Sequence, residues 1–233
     1  MEIYGELKKI DCRFSELYDE YSVLYCEMFK NAKKKVCRRE FSLGGEHIHR
    51  GYYSPSFLDL VTGGLNRGSL LKKTSLNDYT YEYLFDDKDR LIMVNKFNDN
   101  FKLVSVELFV YNETVLSFVF EFFGNLNVLV LISECKYKNN ELISYMTASC
   151  GAYDAVKGCN EINIEIPCYS DGMMSGLDWC RYSPSIQLLN HDKILFERDA
   201  YGELSTYTVE HISCLNGKIV ITPDPTVYHF TNR

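Results

Sequence analysis

Two hydrophobic periods divide this chain. After a short strand expected around residues 2–9, Ser15 can cap a helix in which Leu17, Tyr21, Leu24, Met28, Ala32 and Val36 recur three or four apart, the rhythm of a single helical face. Glu16, Asp19 and Glu20 stand in its first turns and Lys33, Lys34 and Lys35 in its last, which suits the helix dipole at both ends. A second helix is expected from Pro55 to Val61, with Ser54 as its cap and Gly63-Gly64 as its stop. The glycine-rich stretches 44–53 and 63–77 read as loops.

From Tyr79 onward the period falls to two. Tyr79 to Phe85, Arg90 to Phe97, Phe101 to Tyr111, Thr114 to Phe123 and Asn127 to Tyr137 alternate as strands do, and short polar turns between them imply antiparallel neighbours. VLSFVFEFF and VLVLI are almost continuously apolar, as expected of central strands covered on both faces, with the first helix on one of them. Residues 141–156 fit helix and strand alike. Ile162, Ile164 and Ile166 predict a strand ended by Pro167, residues 168–190 a long ordered loop, and Lys193 to Arg198 a hairpin with Leu204 to His211. Asn216-Gly217 then turns into Lys218 to Thr222, and the tail with Pro223 and Pro225 is expected to be extended.

The predicted class is therefore α+β: a large, mainly antiparallel meander (Tyr79 to Tyr137 and Ile162 to Thr222) with an N-terminal amphipathic helix (Ser15 to Val36) packed on it. One domain, residues 1–233, is expected, and the alternative divides the chain near residue 74 into a helical and a β part.

Composition sharpens this picture. The chain has 233 residues, 46% hydrophobic and 24% charged, enough to bury a full core. Eighteen Tyr and 14 Phe favour pleated surfaces and leave amphipathic rings for an interface. A net charge of −7 argues against non-specific binding to nucleic acid or anionic lipid; it suits a basic partner and also serves solubility. With no apolar leader and no membrane-length apolar run, a cytoplasmic location away from membranes is expected. The nine Cys contain no C-x-x-C pair and read as reduced thiols rather than a disulfide frame or zinc site.

The clearest catalytic candidate lies in VLVLISECKYK, where Glu134 and Lys136 are two apart and share a strand face. A carboxylate there can hold a divalent metal while the amine orients water. The pair resembles the Glu-x-Lys half of PD-(D/E)xK nucleases, a resemblance that implies a further acidic residue upstream on a neighbouring strand. No Asp occurs between Asn100 and Asp154, so Glu121, or Glu113, must stand in, and the alternative catalytic set is Glu121, Glu134 and Lys136 with nucleic acid as substrate. His47 and His49 lack further ligands at zinc-site spacing. GGLNRGS (63–69) lacks the Lys-Ser/Thr end of a phosphate loop. Cys180 with His191 lacks a signalled orienting group, and the run KNAKKKVCRR (30–39) reads as helix-end solvation. No metal or cofactor is expected.

YEYLFDDKDRLIMV (81–94) and ILFERDAYGELSTYTV (194–209) resemble the hairpin units of RHS/YD-repeat proteins, in which an aromatic strand meets an Asp-x-x-Gly turn and a Leu-bearing return strand. Asp89 stands where that turn carries Gly. Such hairpins recur in small proteins encoded beside bacterial polymorphic, contact-dependent toxins. The resemblance thus implies an immunity protein that neutralises a cognate toxin, expected to be basic and a nuclease, by occluding its active site. Asp171, Asp178, Trp179 and Tyr182, expected to be exposed in turns and the long loop, are the candidate contact residues. A small-molecule-binding β domain is the second alternative.

Overall fold

The computed structural model describes residues 2–61, 64–72, 79–151, 159–215, 218–221 and 225–229. Two helices open the chain, α1 (Glu2–Tyr21) and α2 (Tyr25–Lys35). Residues 2–9 are thus helical, not a strand: Leu7, Ile10, Phe14, Leu17 and Tyr21 extend the same stripe toward the N-terminus, and Leu7 and Phe14 are buried. The expected single helix is broken at residues 22–24, where Val23 is 80% exposed. The break lets both flanking rings reach one strand: Tyr21 stacks on Phe118 at 4.1 Å between centroids and Tyr25 lies 5.1 Å from Phe120.

The strands follow as β1 (Arg38–Leu43), β2 (Ser69–Leu70), β3 (Tyr81–Phe85), β4 (Leu91–Phe97), β5 (Leu103–Tyr111), β6 (Val115–Phe123) and β7 (Leu126–Lys138). Then come β8 (Glu141–Cys150), β9 (Cys159–Ser170), β10 (Met173–Ser183), β11 (Leu188–Arg198), β12 (Leu204–Leu215), β13 (Lys218–Ile221) and β14 (Thr226–His229). The described residues form one 14-stranded antiparallel sheet, in the order β13-β12-β11-β10-β9-β8-β7-β6-β5-β4-β3-β1-β2, with β14 also pairing β12. It is a meander with N-terminal helices, and residues on both sides of position 74 share it. Position 74 itself, with the rest of 73–78, lies outside the described residues.

The segment that fits helix and strand alike is strand over residues 141–150, and its residues 152–156 lie outside the described residues. Two expectations are corrected. Pro167 does not end β9. Pairing with β8 stops at Tyr145↔Glu165, so Pro167 sits where β9 has become an edge on that side and a missing N–H breaks no ladder bond. Residues 168–190 are a hairpin, not a loop. Asp171 (φ 52°) and Gly172 (φ 74°) make a two-residue turn with both φ positive, the Asp-Gly hairpin signal. The tail pairs as β14, and the Asn216-Gly217 turn lies outside the described residues.

The two hairpins singled out by sequence close with one turn geometry. Asp86 and Asp199 each accept two backbone N–H bonds, from Lys88 and Arg90 and from Tyr201 and Glu203, while Asp89 (φ 58°) and Gly202 (φ 82°) take the left-handed position. Asn98 repeats the pattern with Phe101 at φ 51°.

The helices cover one face of the sheet over Met93, Leu108, Phe118, Phe120, Ile132 and Ile162. The other face is crossed by a strap, residues 44–61, containing a three-residue helical turn (Gly51–Tyr53) and the short α3 (Leu58–Val61). α3 starts later than expected, and the side chain at its entry is Ser56, whose Oγ accepts the Asp59 N–H at 3.4 Å. Phe57 packs on Cys135, Leu142 and Tyr145, and with Leu58 and Val61 on Leu177, Ile194 and Tyr207.

Phe101 is a bulky residue in the left-handed region and is 40% exposed, a conformation costing roughly 1–2 kcal/mol. Phe101→Gly is expected to raise unfolding free energy by about 0.5–1 kcal/mol after the unfolded-state entropy of glycine is deducted. Urea unfolding followed by circular dichroism checks it.

Candidate functional site

Polar side chains of the strap face form a belt, because antiparallel register places facing residues on one side of the sheet. Ser117, Ser133, Thr147, Asn163, Arg181, Asn190 and Ser213 are successive cross-strand partners from β6 to β12. The adjacent row runs Cys135, Tyr145, Glu165, Trp179, Asp192 and His211. Two clusters stand out along these rows.

The first fastens the strap. Arg50 (φ 65°) inserts a guanidinium that is 5% exposed; Nε donates to Glu107 Oε1 at 2.7 Å, and one terminal nitrogen donates to Ser117 Oγ at 2.9 Å and Ser133 Oγ at 2.6 Å. The second Glu107 oxygen lies 3.0 Å from His49 Nε2, and His49 Nδ1 bonds the Tyr145 hydroxyl at 2.7 Å. Burial alone would push the Glu107 carboxyl up, but Arg50 and His49 override it and hold it at about 2. Burial likewise raises the Cys135 thiol against the pull of Arg50, so Cys135 is a neutral core group rather than a thiolate. Tyr83 accepts the Tyr52 N–H and donates to the Arg50 carbonyl, and Tyr81 donates to the carbonyls of Gly45 and Ile48. Farther along, Glu165 takes the Ser56 hydroxyl at 2.6 Å and the Phe57 and Leu58 amides at 2.8 and 3.1 Å. Burial pushes its pKa up against the pull of those three donors.

The second cluster lies where the strap ends. Asp192 Oδ1 bonds Nδ1 of His211, its partner across the β11–β12 ladder, and His211 Nε2 lies 2.8 Å from Ser213 Oγ. Ser213 also donates to Asn190 Oδ1 at 2.8 Å. The His211 side chain is 40% exposed and Asp192 15%. Trp179, beside Asp192 on β10, has a buried Nε1 without a hydrogen-bond partner, and Arg181 lies over its ring at 5.6 Å. Two-residue spacing puts His211 and Ser213 on one face of β12, but nothing in the local sequence announces Asp192 and Asn190, which the β11–β12 register brings to them.

The residues singled out from sequence are scattered. Glu134 and Lys136 do share a face, at 3.7 Å, but it is the helix face, where the fully buried Glu134 meets Arg13 of α1 at 2.8 Å. Glu121 projects from the strap face, into a cleft of about 310 Å³ lined also by Glu46, His49, Lys96 and Glu107. One metal ion cannot bridge carboxylates on opposite sides of a sheet, and among the described residues no three His, Cys, Asp or Glu side chains converge as a ligand set. Glu113 sits in the β5–β6 turn. Cys180 faces His191 across β10–β11, but burial and the nearby Asp178 and Asp192 push its thiol up to about 11.

The four expected contact residues do not make one surface. Asp171 is exposed in the β9–β10 turn, Asp178 lies on the helix side 3.6 Å from His191, and Trp179 points to the strap side. Tyr182 is only 3% exposed, because the hairpin's alternation sends it into the core beneath α1. No described helix is long and apolar enough to cross a membrane. The chain matches no known protein-family model and no curated protein.

Removing the strap's cation should be costly. Arg50→Met leaves Glu107 buried without it, so a loss of roughly 3–5 kcal/mol in urea unfolding is expected. Because the folded pKa of Glu107, about 2, lies below its ordinary 4.5, the stability its carboxylate adds is full above 4.5 and is lost as pH falls toward 2. Glu107→Gln should therefore flatten the acid limb of a stability-versus-pH curve in that window, and an unchanged limb would contradict the assignment.

Proposed function

We propose that this is a binding protein, an immunity-type inhibitor that docks through the uncovered helix-side end of strands β9–β12 onto a basic protein toxin. The observation that carries the reading is an exposed apolar pair on otherwise ordered strands. Ile164, Tyr182, Leu189 and Cys214 belong to the buried helix-side cluster, but the opposite ends of the same strands lie bare. Ile166 and Leu195 there are 42% and 41% exposed. Between them stands Gly176, the cross-strand partner of both Cys168 and Leu195.

Charge supports a basic partner. Asp178 and Glu210 flank this patch in the row Ile166, Asp178, Lys193, Glu210, and Asp171 projects from the adjoining turn. With a net charge of −7, the surface would speed encounter with a cationic protein, and apolar residues at its centre would hold the complex. One turn geometry recurs in three hairpins, opened by Asp86, Asn98 and Asp199, and in the last of them it carries the Asp-x-x-Gly sequence; this supports the similarity to RHS/YD units and, with it, the toxin-linked setting. A rigid sheet presents such a patch without ordering cost, which favours affinity.

The test is co-expression with the product of the neighbouring reading frame, followed by affinity capture and calorimetry. A toxin-like partner that copurifies, and whose affinity falls at least about tenfold with Leu195→Asp, is the expected result. If Leu195→Asp and Ile166→Asp bind that partner as the native chain does, the docking surface is wrong. Failure of the neighbouring product to bind at all would remove the immunity reading.

A further inference from the structure

We infer that Asp192, His211 and Ser213 form a working nucleophilic relay and that Ser213 is acylated by carboxylic esters. This goes beyond docking and is independent of it, since the relay lies on the strap face and the docking patch on the helix face.

A carboxylate only accepts, so the bond to Asp192 fixes the His211 proton on Nδ1 and turns the Nε2 lone pair toward Ser213. The Ser213 hydroxyl has one proton and two acceptors at 2.8 Å, Asn190 Oδ1 and His211 Nε2. Rotation about Cβ–Oγ turns that proton from the Asn190 carbonyl to Nε2, where the imidazole can accept it. Nucleophile bonded to base and base bonded to an orienting acid is the arrangement that activates serine, and it is recognised by geometry rather than by order along a chain.

The surroundings suit a small ester. Val209 and Ile194, two residues before His211 and after Asp192 on the same face, lie in the apolar cluster beneath α3, and Trp179 adds a flat ring beside Asp192. Arg181, one strand beyond Asn190 in the Ser213 row, supplies positive charge for a developing oxyanion. In the first step Ser213 Oγ bonds the carbonyl carbon while its proton passes to Nε2. The carbon–oxygen bond to the alcohol then breaks, and the departing alkoxide takes the proton from Nε2. Water next attacks the acyl carbon, giving one proton to Nε2, which returns it to Ser213 as the carboxylic acid leaves.

The full chain treated with a fluorophosphonate, from which Ser213 Oγ would displace fluoride, is expected to carry an adduct on Ser213 by peptide mass analysis. The adduct should be absent in Ser213→Ala and form about a hundredfold more slowly in His211→Ala. Should His211→Ala fail to fold, as judged by circular dichroism, Asp192→Asn replaces it with the same expectation. p-Nitrophenyl acetate should be hydrolysed faster by the native chain than by Ser213→Ala. The proposal is overturned if the folded native chain gains no adduct on Ser213, if labelling is equally fast in the folded His211 or Asp192 variant, or if both proteins hydrolyse the ester at one rate.

Discussion

A single sheet whose central strands bury side chains on both faces, apolar on one and largely polar on the other, needs a cover on each; everything else here follows from how the two faces are covered. On one side the cover is apolar and ordinary, two helices pressing Leu7, Phe14, Tyr21 and Tyr25 onto β5–β9. On the other side the cover is a glycine-containing strap in which Ile48 is buried and Tyr53 packs on Tyr83 and Phe85, but which also brings Arg50 and its own backbone under cover. The sheet meets those polar groups with hydrogen bonds. Tyr81 and Tyr83 bind its backbone, Glu107 and two serines bind Arg50, and Glu165 binds the amides leading into α3. Buried groups of this kind are tolerable only when their partners are present, which makes the strap's position specific as well as stable.

That division explains what the residues disclosed on their own. The meander from Tyr79 to Tyr137 was legible because period-two patterning and short polar turns are local signals. α1 was misread at residues 2–9 because alternation over a few residues mimics a strand, whereas the helical stripe becomes visible only when Leu7 and Phe14 are counted with Leu17 and Tyr21. The β9–β10 hairpin was hidden for a different reason. Pro167, Gly176 and Pro184 look like breakers, yet each sits where the sheet accepts it: Pro167 past the last β8 pair, Gly176 at a register shift against the Ile194 carbonyl, Pro184 in the helical turn between β10 and β11. The Asp171-Gly172 pair was the truer signal.

Sites were less legible than strands. Glu134 and Lys136 attracted notice because they are close in sequence, and closeness along one strand fixes which face they share but not what that face meets. Here it meets Arg13, and the carboxylate becomes an anchor for α1. Asp192 is farther from His211 and Ser213 and comes from another strand, so their meeting depends on the β11–β12 register, which no local pattern encodes. An excess of tyrosine suggests interface material, but Tyr81, Tyr83 and Tyr145 are buried and spend their hydroxyls on the strap.

Strands β10–β12 consequently carry two surfaces that alternate along each chain segment. Asp178, Lys193 and Leu195 face the helix side, and Trp179, Asp192 and Ile194 face the strap side, residue by residue. Pleating makes the two nearly independent, because a side chain on one face contacts its neighbours on that face and not those behind it. A protein seated on the helix side would therefore leave Ser213 open to a small molecule, and an adduct on Ser213 would leave Leu195 free. What couples them is only the backbone register of β11 against β10 and β12. A change that slipped that register by one residue would exchange the two faces and abolish both surfaces together.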